Sequence, residues 1–194
     1  MTVRKAIIPT AGLGTRLRPW TLGCPKAMLP LVDAGRRIRP VLHWILAEAG
    51  AAAIEQAALV ISPEQRKVFE RYLSAARGAG EDGLPARVEM LVQPRPLGFG
   101  DAVLRARAWA AGEPVAVMLG DHVYTHGASG SCLGQLLEAY AAHGGAAMVG
   151  MQPVGPDRLS QVGVARGRPV AGGEPAEQNL YLCEELVEKP SADV

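Results

Sequence analysis

Lys5-Ala-Ile-Ile-Pro-Thr-Ala-Gly-Leu-Gly-Thr-Arg-Leu-Arg-Pro19, with Pro25-Lys26 a few residues on, decides how this chain is read. A short apolar strand runs straight into a glycine-rich turn, and the turn delivers an arginine and then a lysine to one small region. Glycines let backbone N–H groups approach a phosphate closely, and fixed cations neutralise it. The turn is not a Walker A loop, since no Gly-Lys-Ser/Thr follows. It also misses the dinucleotide fingerprint, because Leu17 stands where the third glycine belongs. A tight strand–helix connection with solvated basic residues would hold two glycines as well. Thr15-Arg16 and Pro25-Lys26 are what point instead to a nucleoside triphosphate.

Working outward, strands and helices alternate. Val3–Pro9 is β-rich, Pro40–Ala49 is predicted helical with Gly50 as its stop, and Ala57–Ser62 is the next strand. Ser62, Pro63 and Gln65 form an S-x-x-Q capping signature, and Val68, Phe69, Tyr72, Leu73 and Ala76 recur at helical spacing until Gly78. Residues 79–85 read as a loop, Arg87–Gln93 as a strand, Asp101–Ala111 as a helix and Val115–Leu119 as a strand. Leu133, Leu136, Leu137 and Tyr140 mark a helix, followed by an expected strand over Ala146–Met151. This order predicts an α/β fold, a Rossmann-like, mostly parallel sheet flanked by helices, with ligands at the carboxyl ends of the strands. Beyond residue 152, prolines and glycines leave only Val162–Ala165 and Leu180–Glu188 as β-like runs, the start of an antiparallel extension. With no internal repeat and no long linker, residues 1–194 are expected to form one domain.

Composition narrows the function classes. The 194 residues are 48% apolar, enough for a real core, and the net charge of +1 argues against a dedicated nucleic-acid binder. Residues 1–39 carry eight Lys/Arg against the single acid Asp33, while the remainder has a net charge of −6. Positive charge is therefore concentrated near the glycine turn, where an anionic ligand gains most from it. Cys24, Cys132 and Cys183 are odd in number, far apart and without CxxC spacing, so they read as thiols of a reducing compartment. No apolar run approaches the roughly 20 residues of a membrane span, and Met1-Thr-Val-Arg-Lys leads into a strand without a signal-like segment. A cytoplasmic location is expected. Asp121 closes an apolar strand in Leu-Gly-Asp, a place for a Mg²⁺-binding carboxylate or for a turn cap. His122 and His126 stand four apart but on no evident helix, so their spacing makes a poor zinc site.

Here the residues resemble a known family. Gly12-x-Gly-Thr-Arg-Leu-x-Pro19 with Pro25-Lys26-x-Met-Leu-Pro-Leu-Val-Asp33 is similar to the sugar-phosphate nucleotidyltransferases, within them the bacterial UTP–glucose-1-phosphate uridylyltransferases. The likeness continues in order through Pro96-Leu-Gly-Phe-Gly-Asp-Ala-Val-Leu104, Glu113-Pro-Val-Ala-Val-Met-Leu-Gly-Asp121, Val162-Gly-Val-Ala165 and Glu188-Lys-Pro190. The resemblance implies one in-line displacement, in which a sugar 1-phosphate oxygen attacks the α-phosphorus of a triphosphate and pyrophosphate leaves. It implies catalytic roles for Arg16 and Lys26, with Ala11, Gly12, Gly14 and Thr15 around the nucleotide. It further implies Gln93 and Gly98 at the base, Asp121 on Mg²⁺, and Gly163, Glu188 and Lys189 at the sugar phosphate. A side-chain amide can pair with a pyrimidine edge and a glycine leaves space for its flat ring; an edge-strand Gln followed by a helix-entry Gly is the structural alternative. The partners implied are UTP and a hexose 1-phosphate. A dTTP- or GTP-using enzyme, or a nucleotide-binding module with little turnover, stays open beside it.

The chain also departs from the family's pattern. Asp101 stands where the uridylyltransferases usually have His, Ala27 where they often have Glu, and Ala34-Gly-Arg-Arg-Ile-Arg39 looks like a small basic insertion. The family continues for roughly a third more length, with a second Mg²⁺ aspartate and helices that often build the oligomer. Two-metal clamping stabilises the entering and leaving oxygens together. The expectation is therefore nucleotide binding with weak or absent transfer for the isolated chain, unless a homo-oligomer or a partner chain completes the site.

Overall fold

The computed structural model describes residues 2–33, 35–81, 83–124, 130–170 and 179–190. The chain divides into two compact units, Met1–Val149 and Gly150–Val194.

In the first unit, β1 (Lys5–Pro9) leads through three short 3₁₀ turns to β2 (Pro30–Val32), β3 (Ile38–Pro40) and α1 (Val41–Ala51). Then come β4 (Gln56–Ile61), α2 (Arg66–Gly78), β5 (Arg87–Val92), α3 (Phe99–Arg105) and α4 (Arg107–Ala110), and finally β6 (Val115–Val117) and α5 (Cys132–His143). Four strands form a parallel sheet in the order β5-β4-β1-β6, with Lys5 level with both Gln56 and Val115. The expected α/β class, a mostly parallel sheet between helices, is what the chain adopts. The strand order reverses direction at β1, so a crevice opens beyond the carboxyl ends of β1 and β6.

Alternation along the strands builds two cores. Ala6, Ile8, Ala57, Leu59 and Ile61 join Leu42, Ile45, Leu46, Phe69 and Leu133 from α1, α2 and α5 on one face. Ile7 and Val60 point the other way, onto Ala102 and Ala106. Successive right-handed crossovers that change direction at β1 place α1 and α2 on one face and α3 on the other. Each large apolar side chain so sealed contributes about 1.5–3 kcal/mol by leaving water.

Boundaries shift in instructive ways. Gly50 does not stop α1; the helix runs to Ala51 and the chain turns at Ala53, whose φ is 59°. The single helix expected over Asp101–Ala111 is two, beginning at Phe99 and broken at Ala106, where ψ of 1° cannot continue an α-helix. The β2–β3 hairpin was not foreseen, its strands being three residues each. The strand expected over Ala146–Met151 does not form. Those residues pair with no described strand, and Val149 and Met151 stay 65% and 53% exposed, so β6 is left as the sheet edge. Apolar character alone cannot make a strand without a ladder partner. Among the described residues no helix is long and apolar enough to cross a membrane.

In the second unit a 3₁₀ turn over Pro156–Gln161 precedes β7 (Gly163–Pro169) and β8 (Tyr181–Glu188). The two pair antiparallel, with a bulge at Arg166/Gly167 and cross-strand ion pairs from Arg166 to Glu185 (2.6 Å) and from Arg168 to Glu184 (3.4 Å). The expected antiparallel extension is present. Its residues 171–178 lie outside the described residues, as do the breakers expected there.

Candidate functional site

A cleft of about 460 Å³ occupies the crevice beyond β1 and β6. Its wall on the β1 side is the glycine turn, where Ala11, Gly12, Gly14, Thr15 and Arg16 all face the opening. Lys26, Gln93, Gly98 and Asp121 line the same cleft from three further segments. Nine residues singled out in the sequence thus meet at one place, although the longest separation between them exceeds half the chain.

Local structure explains how. Gln65 caps α2 by accepting from Ser62 N (2.8 Å), and its Nε2 also donates to Thr10 O (3.2 Å). Thr10 Oγ1 donates to Val60 O (3.0 Å), so the root of the turn is pinned to β4 and α2. Thr21 Oγ1 then donates to Gly14 O (2.9 Å), folding the arginine-bearing turn back on itself. Gly120 lets the other wall close in: a Cβ there would lie 2.3 Å from Pro9 O. That contact brings the loop after β6 against the end of β1 and places Asp121 opposite the turn.

The chemistry of the wall is that of an anion cradle. Among the described residues, no backbone N–H from Ala11 through Arg16 has a hydrogen-bond acceptor. Unpaired amides in succession make a concavity that favours negative charge. Lys26 Nζ is ion-paired with Asp121 Oδ2, and the two side chains are 37% and 39% exposed. Arg16 makes no ion pair with a described residue and stands open to the cleft. For a divalent ion, the residues fit in one specific way. Asp121 is the one carboxylate lining the cleft, and no group of three metal-ligating side chains exists among the described residues. Mg²⁺ does not need such a cage, since it is commonly held by one or two carboxylates plus the phosphates of its substrate.

Other expectations need correcting. The basic residues of the first 39 do not all gather at the turn. Lys5 is buried and its Nζ donates to Trp109 O, Ala110 O and Glu113 Oε1, the last at 2.5 Å. Arg4 pairs with Glu55, while Arg37 and Arg39 pair with Asp33, and Arg39 also with Glu81. Nearby Asp33 and the more distant Glu55, Glu81 and Glu113 pair with them in space, which leaves Arg16 and Lys26 as the described cations lining the cleft. His122 Nε2 lies 3.9 Å from Asp121 Oδ1, and His126 lies outside the described residues.

In the second unit Gly163 and Glu188 are register partners, and a Cβ on Gly163 would lie 3.0 Å from Glu188 Oε2. Lys189 N donates to Val162 O (3.1 Å), and Lys189 is held at φ 49°, a left-handed conformation unusual for a long side chain. Those three sugar-phosphate candidates are therefore neighbours at one end of the hairpin. Residues the sequence reading passed over also line the cleft: Thr10, Phe99 and Leu119. Phe99 is 53% exposed, and an apolar ring set between Gly98 and Gly100 is the signal that marks it.

A parallel sheet with a direction change at β1, an amide-lined turn and, among the described residues, two cations beside a single carboxylate make this an α/β domain with a cleft whose chemistry suits an anionic ligand. The nucleotidyl transferase family model matches residues 5–194, and the chain belongs to that family. It is 34% identical to the UTP–glucose-1-phosphate uridylyltransferase YngB of Bacillus subtilis (strain 168), over 98% of this chain and 65% of that protein. A UTP–glucose-1-phosphate uridylyltransferase of Streptococcus pyogenes is 33% identical over 98% of this chain and 64% of its own length. The chain thus spans about two thirds of the length of these curated relatives. A crystal structure of UDP-glucose pyrophosphorylase complexed with UDP-glucose superposes with a TM-score of 0.84 at 28% identity, covering 99% of this chain and 71% of that one. A UTP-bound UGPase from Acinetobacter baumannii gives a TM-score of 0.78 at 26% identity, covering 98% and 69%.

Proposed function

We propose that the cleft binds UTP and serves uridylyl transfer to a hexose 1-phosphate, glucose 1-phosphate in the first place, releasing pyrophosphate. The observation that carries the reading is the run of acceptor-free amides from Ala11 to Arg16 facing Lys26 and Asp121 across one cleft. The relatives named for this reaction support it. An oxygen of the sugar phosphate forms the new bond to the α-phosphorus, and the bond from that phosphorus to the pyrophosphate oxygen breaks. Such chemistry asks the protein for position and charge stabilisation more than for proton transfer. The turn amides cradle the triphosphate tail, and the planar Arg16 guanidinium meets it with paired N–H donors. Lys26, released from Asp121, turns to the α-phosphate. Asp121 would hold Mg²⁺, which would neutralise the phosphates and the departing pyrophosphate. Gly163, Glu188 and Lys189 are assigned to the hexose phosphate, and the unusual backbone at Lys189 is consistent with a functional demand there. The reaction is placed in the cytoplasm, and a second copy or partner chain completing the acceptor side belongs to the same proposal.

A second reading, nucleotide binding without turnover, is favoured by Asp121 being the one carboxylate at the cleft among the described residues. Pyrophosphate release from UTP, glucose 1-phosphate and Mg²⁺ separates the two. Turnover that vanishes in Arg16→Ala supports transfer. A UTP-induced thermal shift with no pyrophosphate supports the binding module. Absence of a shift with UTP, dTTP and GTP alike would sink the nucleotide assignment itself.

A further inference from the structure

Gln93 follows β5 directly, and its backbone N–H donates to Ile61 O (2.8 Å), so the sheet fixes where the side chain starts. The residue is only 4% exposed and lines the cleft. A primary amide has two faces: its nitrogen donates twice and its oxygen accepts. A freely turning amide would offer either end to a ligand. Here Nε2 reaches Gly98 O at 3.1 Å and Asp101 Oδ2 at 2.8 Å. Both partners are acceptors. Gly98 offers a carbonyl, and Asp101 is kept ionised because Arg105 donates to it from Nη2 (2.9 Å) and Nε (3.3 Å). These bonds, with the one from Gln93, hold the Asp101 carboxyl below the usual carboxylate range.

The amide oxygen is what remains. No described donor reaches Gln93 Oε1, and the only described side-chain atoms sealed without a partner are Arg39 Nε and Trp44 Nε1. Oε1 is therefore open to the cleft. We infer that Asp101 is a positioning residue that fixes the polarity of the Gln93 amide, so that the cleft selects a base presenting a ring N–H donor over one presenting a ring acceptor. Uracil and thymine carry that donor at N3; cytosine carries an acceptor there. Guanine's N1–H obeys the same rule, so rejection of purines falls to ring size and not to Asp101. The inference rests on the proposed reading of Gln93 as the base-facing residue.

Turning the amide over would set Oε1 against the Asp101 carboxylate and the Gly98 carbonyl, two acceptor–acceptor contacts. Asparagine at the same position removes the stronger of these, because its own N–H₂ can donate to an inverted Gln93 Oε1. The test is binding of UTP and CTP, each with Mg²⁺, to the full 194-residue chain by calorimetry. The unmodified protein is expected to prefer UTP by about tenfold or more, the worth of one hydrogen bond near a charged partner. In Asp101→Asn the preference should shrink to about two- to threefold, chiefly through tighter CTP binding. Asp101→Ala should shift the ratio the same way, while Arg105→Gln, which keeps the carboxylate, should retain most of it. If α3 were merely loosened, both nucleotides would weaken together at constant ratio, and that outcome overturns the inference while leaving UTP binding intact. If neither nucleotide binds the unmodified chain, the reading of the cleft falls and the role of Asp101 with it.

Discussion

Gly12 offers a test in which stability and binding should move in opposite directions. It sits in the middle of the glycine turn, yet nothing in the protein requires a glycine there. A Cβ built on Gly12 meets no atom within 4 Å, and its backbone is outside the left-handed region. Gly12→Ala should therefore stabilise the unliganded chain by about 0.4–1 kcal/mol, through the lower entropy of the unfolded state. For a domain of this size that raises Tm by roughly 1–4 °C. The same methyl projects from the amide cradle, where it would hold a phosphate away from the acceptor-free N–H groups of Ala11 to Arg16. UTP present at about 100 times its Kd should add about 2.7 kcal/mol to the wild-type protein. A tenfold or greater loss of affinity in Gly12→Ala would remove about 1.4 kcal/mol or more of that increment. Thermal denaturation with and without UTP and Mg²⁺ reads both effects on one sample. A variant that melts lower without ligand, or that keeps the full UTP-induced shift, would refute the assignment of the turn as a phosphate cradle.

Arg16→Ala should lower the rate of pyrophosphate release by about 100-fold, the cost of losing one preorganised donor, with Tm unchanged because Arg16 makes no described ion pair. A loss of Tm alongside the rate would show that Arg16 works structurally instead. Phe69 is fully buried between α2 and the sheet, so Phe69→Ala should cost about 3–5 kcal/mol by urea denaturation, and a cost under about 1 kcal/mol would contradict the packing. His43 is buried with Nδ1 2.8 Å from the Tyr72 hydroxyl, whose pKa is pushed up to about 12 by burial, and with Nε2 3.6 Å from Glu81 Oε2. Burial, and then the Arg39 charge, move the His43 pKa below its ordinary 6.5. The unfolded chain then takes up a proton first as pH falls, so stability present above pH 6.5 is lost on acidification below it. Urea unfolding at about pH 7.5 and about pH 5.5 should show that loss, and a His43→Gln variant with the same acid slope would assign it elsewhere.

What could be read from the sequence divides along physical lines. β1 and β4 were legible because strands covered on both faces read as apolar runs, β5 because its apolar residues alternate with Arg87 and Glu89 as a sheet edge requires, and α2 because Ser62 and Gln65 form a capping box that is indeed present. Residues 146–151 misled because hydropathy reports a wish for burial and says nothing of whether a partner strand is there to grant it. The break at Ala106 left no sequence signal, since every residue from Asp101 to Ala111 tolerates a helix. The site was legible as a list of residues, because a glycine turn, a lysine and an aspartate are chemically distinctive. Its wiring was not: Gln65 shows itself as a cap through Oε1, but the bond from its Nε2 to Thr10 O depends on where β1 ends in space.

The pairing of Lys26 with Asp121 carries this lesson into the proposed reaction. Two opposite charges left facing an open cleft would each need strong solvation; paired, they hold each other in place. Both side chains are more than one-third exposed, so the pair contributes only about 0–1 kcal/mol, and parting it costs correspondingly little. A magnesium–triphosphate ligand supplies a better partner to each at once: anionic phosphate to Lys26, a divalent cation to Asp121. Asp121→Asn should then weaken UTP binding mainly when Mg²⁺ is present, while Lys26→Met should weaken it with or without the metal. Titrating UTP into both variants with Mg²⁺ and with EDTA reads the difference, and equal losses in all four conditions would mean that the pair only braces the loop after β6 against the turn.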